Sequence, residues 1–208
     1  MQVLHLDSSI LGDASTSRAL SAAVVADLVR RVPSAAVLRR DLVGEPIPHL
    51  DAAIAAGFRD LAAQGNDAFT AAERARSERL VGEFLASDVV VVGSPMYNFS
   101  VSSQLKAWID RIVQPGRTFK YTPTGPVGLA GNKRVVVAST RGGLYTAGPM
   151  AALDFQETYL KATFGFMGVT DVQFVRAESL SKGPEMRAQS MEAALAGVGE
   201  VVLRAVAA

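Results

Sequence analysis

The sequence predicts an α/β fold, a three-layer sandwich around a five-stranded parallel sheet of strand order 2-1-3-4-5. Three observations predict it. Short runs of branched apolar residues at 3–6, 89–92 and 135–138 each end at polar or Gly/Pro signals, as strands buried on both faces do. Stretches with apolar residues at helical spacing lie between those runs. The alternation of strand and helix recurs along the chain, and that pattern demands parallel strands with helices on both faces.

The elements follow in order. Residues 3–6 form the first strand. Residues 17–31 carry Leu20, Val24, Leu28 and Arg31 at helical spacing and stop before Pro33. A weaker strand is expected at 35–39, then an irregular segment at 41–51 containing Pro46 and Pro48. Residues 71–86 read as a helix with Leu80, Phe84 and Leu85 on one face, and 89–92 as the most apolar strand. The helix expected over 102–113 sets Leu105, Trp108, Ile109 and Ile112 on one stripe. A second irregular segment, 114–131, is rich in Pro and Gly, and long excursions of this kind are usually functional or mobile. Strand 135–138, helix 149–166, a weaker strand at 172–175 and helix 184–206 complete the chain. Residues 1–208 read as one domain, long enough to bury a core without staples.

Composition removes several kinds of chemistry. Zero Cys excludes disulfides, thiolate metal sites, iron–sulfur clusters and cysteine nucleophiles. Only His5 and His49 are present, so no multi-histidine metal centre is expected. A net charge of +1 supplies no field for nucleic acid or anionic membrane. The N-terminus lacks a signal-peptide pattern, and no run approaches the roughly 18–20 apolar residues of a membrane span. The expected location is cytoplasmic. His5, inside the first strand, reads as a core histidine rather than a catalyst; His49 reads as solvent-facing or interfacial. Trp108 reads as core, with interface packing as the second reading.

Ligands of open α/β sheets bind beyond the carboxyl ends of the strands, at the topological switch point. For this strand order the relevant loops follow strands one, three and four. The first contains Ser8, Ser9, Ser15, Thr16 and Ser17 and runs into a helix start, where hydroxyls, backbone N–H groups and the helix dipole favour an anion. GxxxxGK[ST] is absent, so a terminal phosphate monoester fits better than a nucleoside triphosphate; a plain N-capping cluster is the alternative. The second loop, Pro95-Met96-Tyr97-Asn98-Phe99, exposes apolar and aromatic groups suited to a flat ligand, or forms a locally packed turn. The third, Thr140-Arg141-Gly142-Gly143, allows close backbone approach and free N–H groups, unless it is only a Gly-rich turn. Together the loops describe one ligand with a phosphate at one end and a planar heterocycle at the other. Flavin mononucleotide (FMN) answers that description.

The same residues carry a resemblance. Pro95-Met96-Tyr97-Asn98-Phe99, Ser103-Gln104-Leu105-Lys106 and Thr118-Phe119-Lys120-Tyr121-Thr122 resemble the FMN-dependent NADH azoreductases, within the flavodoxin-like NAD(P)H:quinone reductase superfamily. The likeness extends to Asp41-Leu42, Pro46-Ile47-Pro48 and Gly183-Pro184-Glu185-Met186. It implies a flavodoxin-like fold, a homodimer and one non-covalent FMN per subunit. It also implies ping-pong hydride transfer from NADH, with NADPH as an alternative donor, to quinones or aromatic azo compounds. By matching position, the implied FMN contacts are Ser9, Ser15, Thr16, Ser17, Met96, Tyr97, Asn98, Phe99, Thr140, Arg141, Gly142 and Gly143, with Pro95 beside them. Thr140 stands where the family carries Ser, and the hydroxyl survives. Around Thr163-Phe164-Gly165-Phe166 an aromatic that should border the substrate is displaced by one position.

Phe119, Tyr121 and Tyr145 are candidate substrate-stacking residues; loop packing is the other reading for Phe119 and Tyr121. No catalytic side chain is expected, because the cofactor carries the chemistry. An electron-carrying flavodoxin would share fold and cofactor, but such carriers are acidic and this chain is not. A serine hydrolase lacks GxSxG and a placed histidine. A cofactor-free interaction module would leave the three loops without a cause.

Overall fold

A computed structural model describes residues 1–59 and 67–207. Its sheet has five parallel strands: β1 (Gln2–Asp7), β2 (Ala36–Asp41), β3 (Val89–Pro95), β6 (Arg134–Thr140) and β7 (Asp171–Ala177). Their order is β2-β1-β3-β6-β7. This is the expected 2-1-3-4-5 once an intervening hairpin, β4 (Phe119–Thr122) with β5 (Gly125–Gly128), is set aside. The helices are α1 (Thr16–Arg31), α2 (Ala52–Ala56), α3 (Ala68–Ala86), α4 (Ser103–Ile112), α5 (Phe155–Phe166) and α6 (Pro184–Val206).

Side-chain alternation along the central strands builds two cores. Val89 and Val91 join Val3, Val136 and Ala138 under α1 and α6. Val90 and Val92 join Leu4, Leu6, Val135 and Val137 under α3, α4 and α5. A period of two divides one apolar run between two faces, so each face gains a core from the same few residues. Strand β2, one of the two weaker expected strands, lies at the sheet edge as that order requires, and Val37 and Leu38 remain exposed.

Helix starts follow local capping chemistry. Ser15, Asp67, Ser102 and Asp154 each accept a hydrogen bond from the backbone N–H three residues on. Asp154 moves the start of α5 to Phe155, later than the expected 149, and residues Ala151–Leu153 form a 3-10 turn instead. The helix α2 was not expected. Nor was order within 114–131, which forms the hairpin β4–β5. That hairpin docks backbone on backbone: a Cβ on Gly128 would stand 2.1 Å from the Gly168 nitrogen, and Ala130 donates to the Met167 carbonyl at 2.9 Å. Trp108 is buried within its own chain, edge-on to Phe84 at 5.9 Å, so it is a core residue and not an interface one.

Candidate active site

The loops after β1, β3 and β6 converge at the carboxyl edge, as the strand order requires. The parallel register sets Asp7 beside Gly93, and Pro95 beside Thr140. Gly93 is needed there, because a Cβ would come within 2.9 Å of the buried Asp7 carboxylate.

In the first loop Ser9, Ser15 and Ser17 are buried, and the Ser15 and Ser17 hydroxyls lie 3.1 Å apart. Ser15 caps α1 through the Arg18 N–H. Among the described residues the N–H groups of Thr16 and Ser17 have no acceptor in the chain. Unpaired donors at a helix start form an anion cradle. Arg18 does not reach into it. Its guanidinium bonds both Asp41 oxygens, at 2.6 and 2.7 Å, and the Ser9 carbonyl at 3.0 Å. Arg18 holds the Asp41 carboxyl down to about 2. Below the loop, buried Asp7 meets Arg39 at 2.8 Å and the Ser21 hydroxyl at 2.9 Å, and Ser21 contacts His5 at 3.0 Å. Burial pushes the Asp7 carboxyl up, but bonds from His5, Arg39 and Ser21 outweigh it and leave it lowered. His5 is therefore a core residue, as expected, and His49 is exposed.

The second loop is a tight turn. Tyr97 and Ser100 exchange backbone hydrogen bonds at 2.9 and 3.0 Å, and the central residues Asn98 and Phe99 both take positive φ, 47° and 71°. This is the mirror-image turn geometry; Asn tolerates it, whereas Phe pays roughly 1–3 kcal/mol. Strain at Phe99 turns its ring outward against Tyr145, with centroids 6.3 Å apart. The Tyr97 hydroxyl ties this loop to the first, accepting from the Ile10 N–H at 3.2 Å and lying 3.3 Å from the Ser9 hydroxyl. A cavity of about 730 Å³ opens beside the turn, lined by Ile10, Met96, Tyr97 and Asn98, with Lys106 and Tyr159 from α4 and α5.

In the third loop Thr140 accepts the Met96 N–H at 2.8 Å. Among the described residues the Gly142 and Gly143 N–H groups have no acceptor. Arg141, expected among the cofactor contacts, is held by the chain's own groups. Its N–H donates to Ala177, and its guanidinium is fully buried against Asp154, Glu157 and Glu178. Held in this way, Arg141 shapes the loop on which the two glycines sit. Glu178 finishes that work by accepting the Tyr145 and Thr146 N–H groups at 2.8 and 3.1 Å. Gln156 stitches the ends of β3 and β6, donating to the Ser94 carbonyl at 2.9 Å and lying 3.1 Å from the Ser139 hydroxyl. Neither Glu178 nor Gln156 is visible as a motif, since their partners lie between 17 and 62 residues away.

Phe119 and Tyr121 are not brought to these loops. Phe119 is 5% exposed and packs 4.6 Å from Phe166. Tyr121 is 72% exposed and stands edge-on to Phe119. With Phe58, Val113 and Pro115 they line a separate hollow of about 570 Å³. Helix α4 lies between the two spaces, Lys106 lining one and Asp110 the other.

The fold and its loops define a class, an open α/β protein with a ligand groove at the switch point of a 2-1-3-4-5 sheet. The chain belongs to the Flavodoxin-like fold family, whose profile matches residues 1–202. It is 70% identical to a Ralstonia nicotianae protein named FMN-dependent NADH:quinone oxidoreductase, over 100% of both chains. A Xanthomonas euvesicatoria protein named FMN-dependent NADH:quinone oxidoreductase 2 is 62% identical over 97% of this chain and 94% of its own. Among solved structures, an azoreductase from Bacillus anthracis superposes with a TM-score of 0.89 at 28% identity, covering 98% of this chain and 99% of its own.

Proposed function

We propose that this chain is an FMN-dependent NADH:quinone oxidoreductase that also reduces aromatic azo compounds. The observation that carries the reading is the fit of three loops to one ligand. Unpaired N–H groups at Thr16 and Ser17, with the hydroxyls of Ser9, Ser15 and Ser17, suit a phosphate. The strained Asn98-Phe99 turn and the open Gly142 and Gly143 amides suit the face and polar edge of a flavin ring. Identity to proteins named for that activity supports it.

Bound FMN supplies two-electron chemistry, accepting a hydride from NADH and passing it to an acceptor. The chain's own residues bind and orient. The start of α1 neutralises the phosphate, Asn98 meets the polar edge of the ring, and Phe99 with Tyr145 bounds the place where a planar partner stacks. In the quinone reaction NADH and one proton convert a quinone to its hydroquinone. Full cleavage of an azo bond to two amines takes two such rounds, four electrons and four hydrogens in all. Water supplies the protons, and neither histidine is placed to do so.

The whole chain acts as a single FMN-binding domain in the cytoplasm, where its nicotinamide donor is found. It works as a homodimer: the exposed Tyr121 and its aromatic hollow, remote from the loops of their own subunit, wall the ring site of the other. Among the described residues no helix is long and apolar enough to cross a membrane. The decisive experiment is anaerobic. Purified protein should be yellow, bleach on adding NADH, and turn over with a free quinone. Bleaching without quinone turnover would point to an electron carrier, and colourless protein that takes up no FMN would sink the proposal.

A further inference from the structure

The phosphate cradle has little positive charge of its own. Arg18 is spent on Asp41 and the Ser9 carbonyl, Arg39 is spent on Asp7, and Asp13 adds a carboxylate to the same loop. A cation reaches the cradle from the other end of the chain. Arg187, in the first turn of α6, donates from Nη2 to the Thr16 hydroxyl at 2.7 Å. Thr16 is the first residue of α1, beside the unpaired N–H groups. Among the described residues Arg187 has no carboxylate partner, and its side chain is solvent-facing. An unneutralised guanidinium is therefore held where a phosphate oxygen would sit against the helix start.

We propose that Arg187 is a phosphate-recognition residue, supplied by α6 and held over the start of α1, that makes the site select FMN over unphosphorylated riboflavin. This inference rests on the FMN reading above. A guanidinium is matched to phosphate by its planar donor fork, and here the α1 dipole acts in the same direction. The competing role is structural: the Thr16 bond would merely join α6 to α1. The two roles separate cleanly, because riboflavin fills the ring site but lacks the group Arg187 would bind.

The test uses flavin-free protein, full length, with binding read from quenching of flavin fluorescence. FMN and riboflavin are titrated into wild type and Arg187→Gln at two ionic strengths. The expected result is about tenfold weaker FMN binding in the variant, the scale of one exposed charge-assisted contact. Riboflavin affinity should be unchanged, and the FMN affinity of the variant should depend less on salt. Equal weakening for both flavins would assign Arg187 a structural role and overturn the inference, as would no change for either. In both of those cases wild type still binds FMN and the functional reading stands; wild type that binds no FMN would overturn both.

Discussion

Asp41 ties three segments together at the carboxyl edge. Its oxygens accept from Arg18 on α1 and from the Val43 and Gly44 N–H groups of the following turn. Arg18, so held, braces the Ser9 carbonyl of the loop after β1. The pairing with Arg18 depresses the Asp41 carboxyl from 3.8 to about 2. A depressed carboxylate contributes stability that is complete above its unfolded value and is lost as pH falls through the folded one. Thermal unfolding of wild type should therefore weaken between about pH 4 and 2 more steeply than that of Asp41→Asn. Parallel profiles would remove Asp41 from the acid response. The proposed phosphate contact of the Ser15 and Ser17 hydroxyls gives a second expectation at this scale. Replacing Ser15 and Ser17 together by Ala should weaken FMN binding by about 1–3 kcal/mol, two modest bonds to a charged acceptor. Equilibrium titration of the flavin-free protein checks it, and wild-type affinity would reassign the loop to capping alone.

At the scale of elements, the hairpin β4–β5 depends on contact between backbones. A Cβ on Gly128 would meet the Gly168 nitrogen at 2.1 Å and the Met167 carbonyl carbon at 2.3 Å, and neither is a flexible tip that can step aside. Gly128→Ala should lower stability by about 1–3 kcal/mol, the usual cost of overpacking. Flavin binding should hold, since the three loops lie elsewhere. Gly165, in α5, supplies a control of opposite sign: open space surrounds its Cβ position, and Ala favours a helix by up to about 1 kcal/mol. Denaturant melts of the two variants should move in opposite directions. If Gly128→Ala melts like wild type, the hairpin docks more loosely than its geometry implies.

For the whole molecule, the central expectation is the dimer. The chain has a cavity beside its switch-point loops, the proposed ring site, and, across α4, an aromatic hollow with an exposed Tyr121. A two-fold axis would place each hollow against the other subunit's site and satisfy both at once. Sedimentation at micromolar concentration should give twice the chain mass. Tyr121→Ala should impair turnover with bulky planar acceptors while leaving FMN binding intact. A fully active monomer would break the shared-site picture without touching the cofactor assignment.

The sequence by itself determined the layers, the strand order and the three loops. Those features follow from hydrophobic period, capping residues and glycine placement, which are local and act over a few residues. The buried valines of β3, the Ser15 cap and the Gly142-Gly143 amides stand where that reading put them. Tertiary structure decided what depends on partners far along the chain. It turned Arg141 inward onto Asp154, Glu157 and Glu178 and made 114–131 a docked hairpin. It carried Phe119 and Tyr121 away from the loops and brought Arg187 to Thr16 across 171 residues. An arginine goes where a carboxylate or an unpaired acceptor awaits it, and only the folded chain settles which one is near.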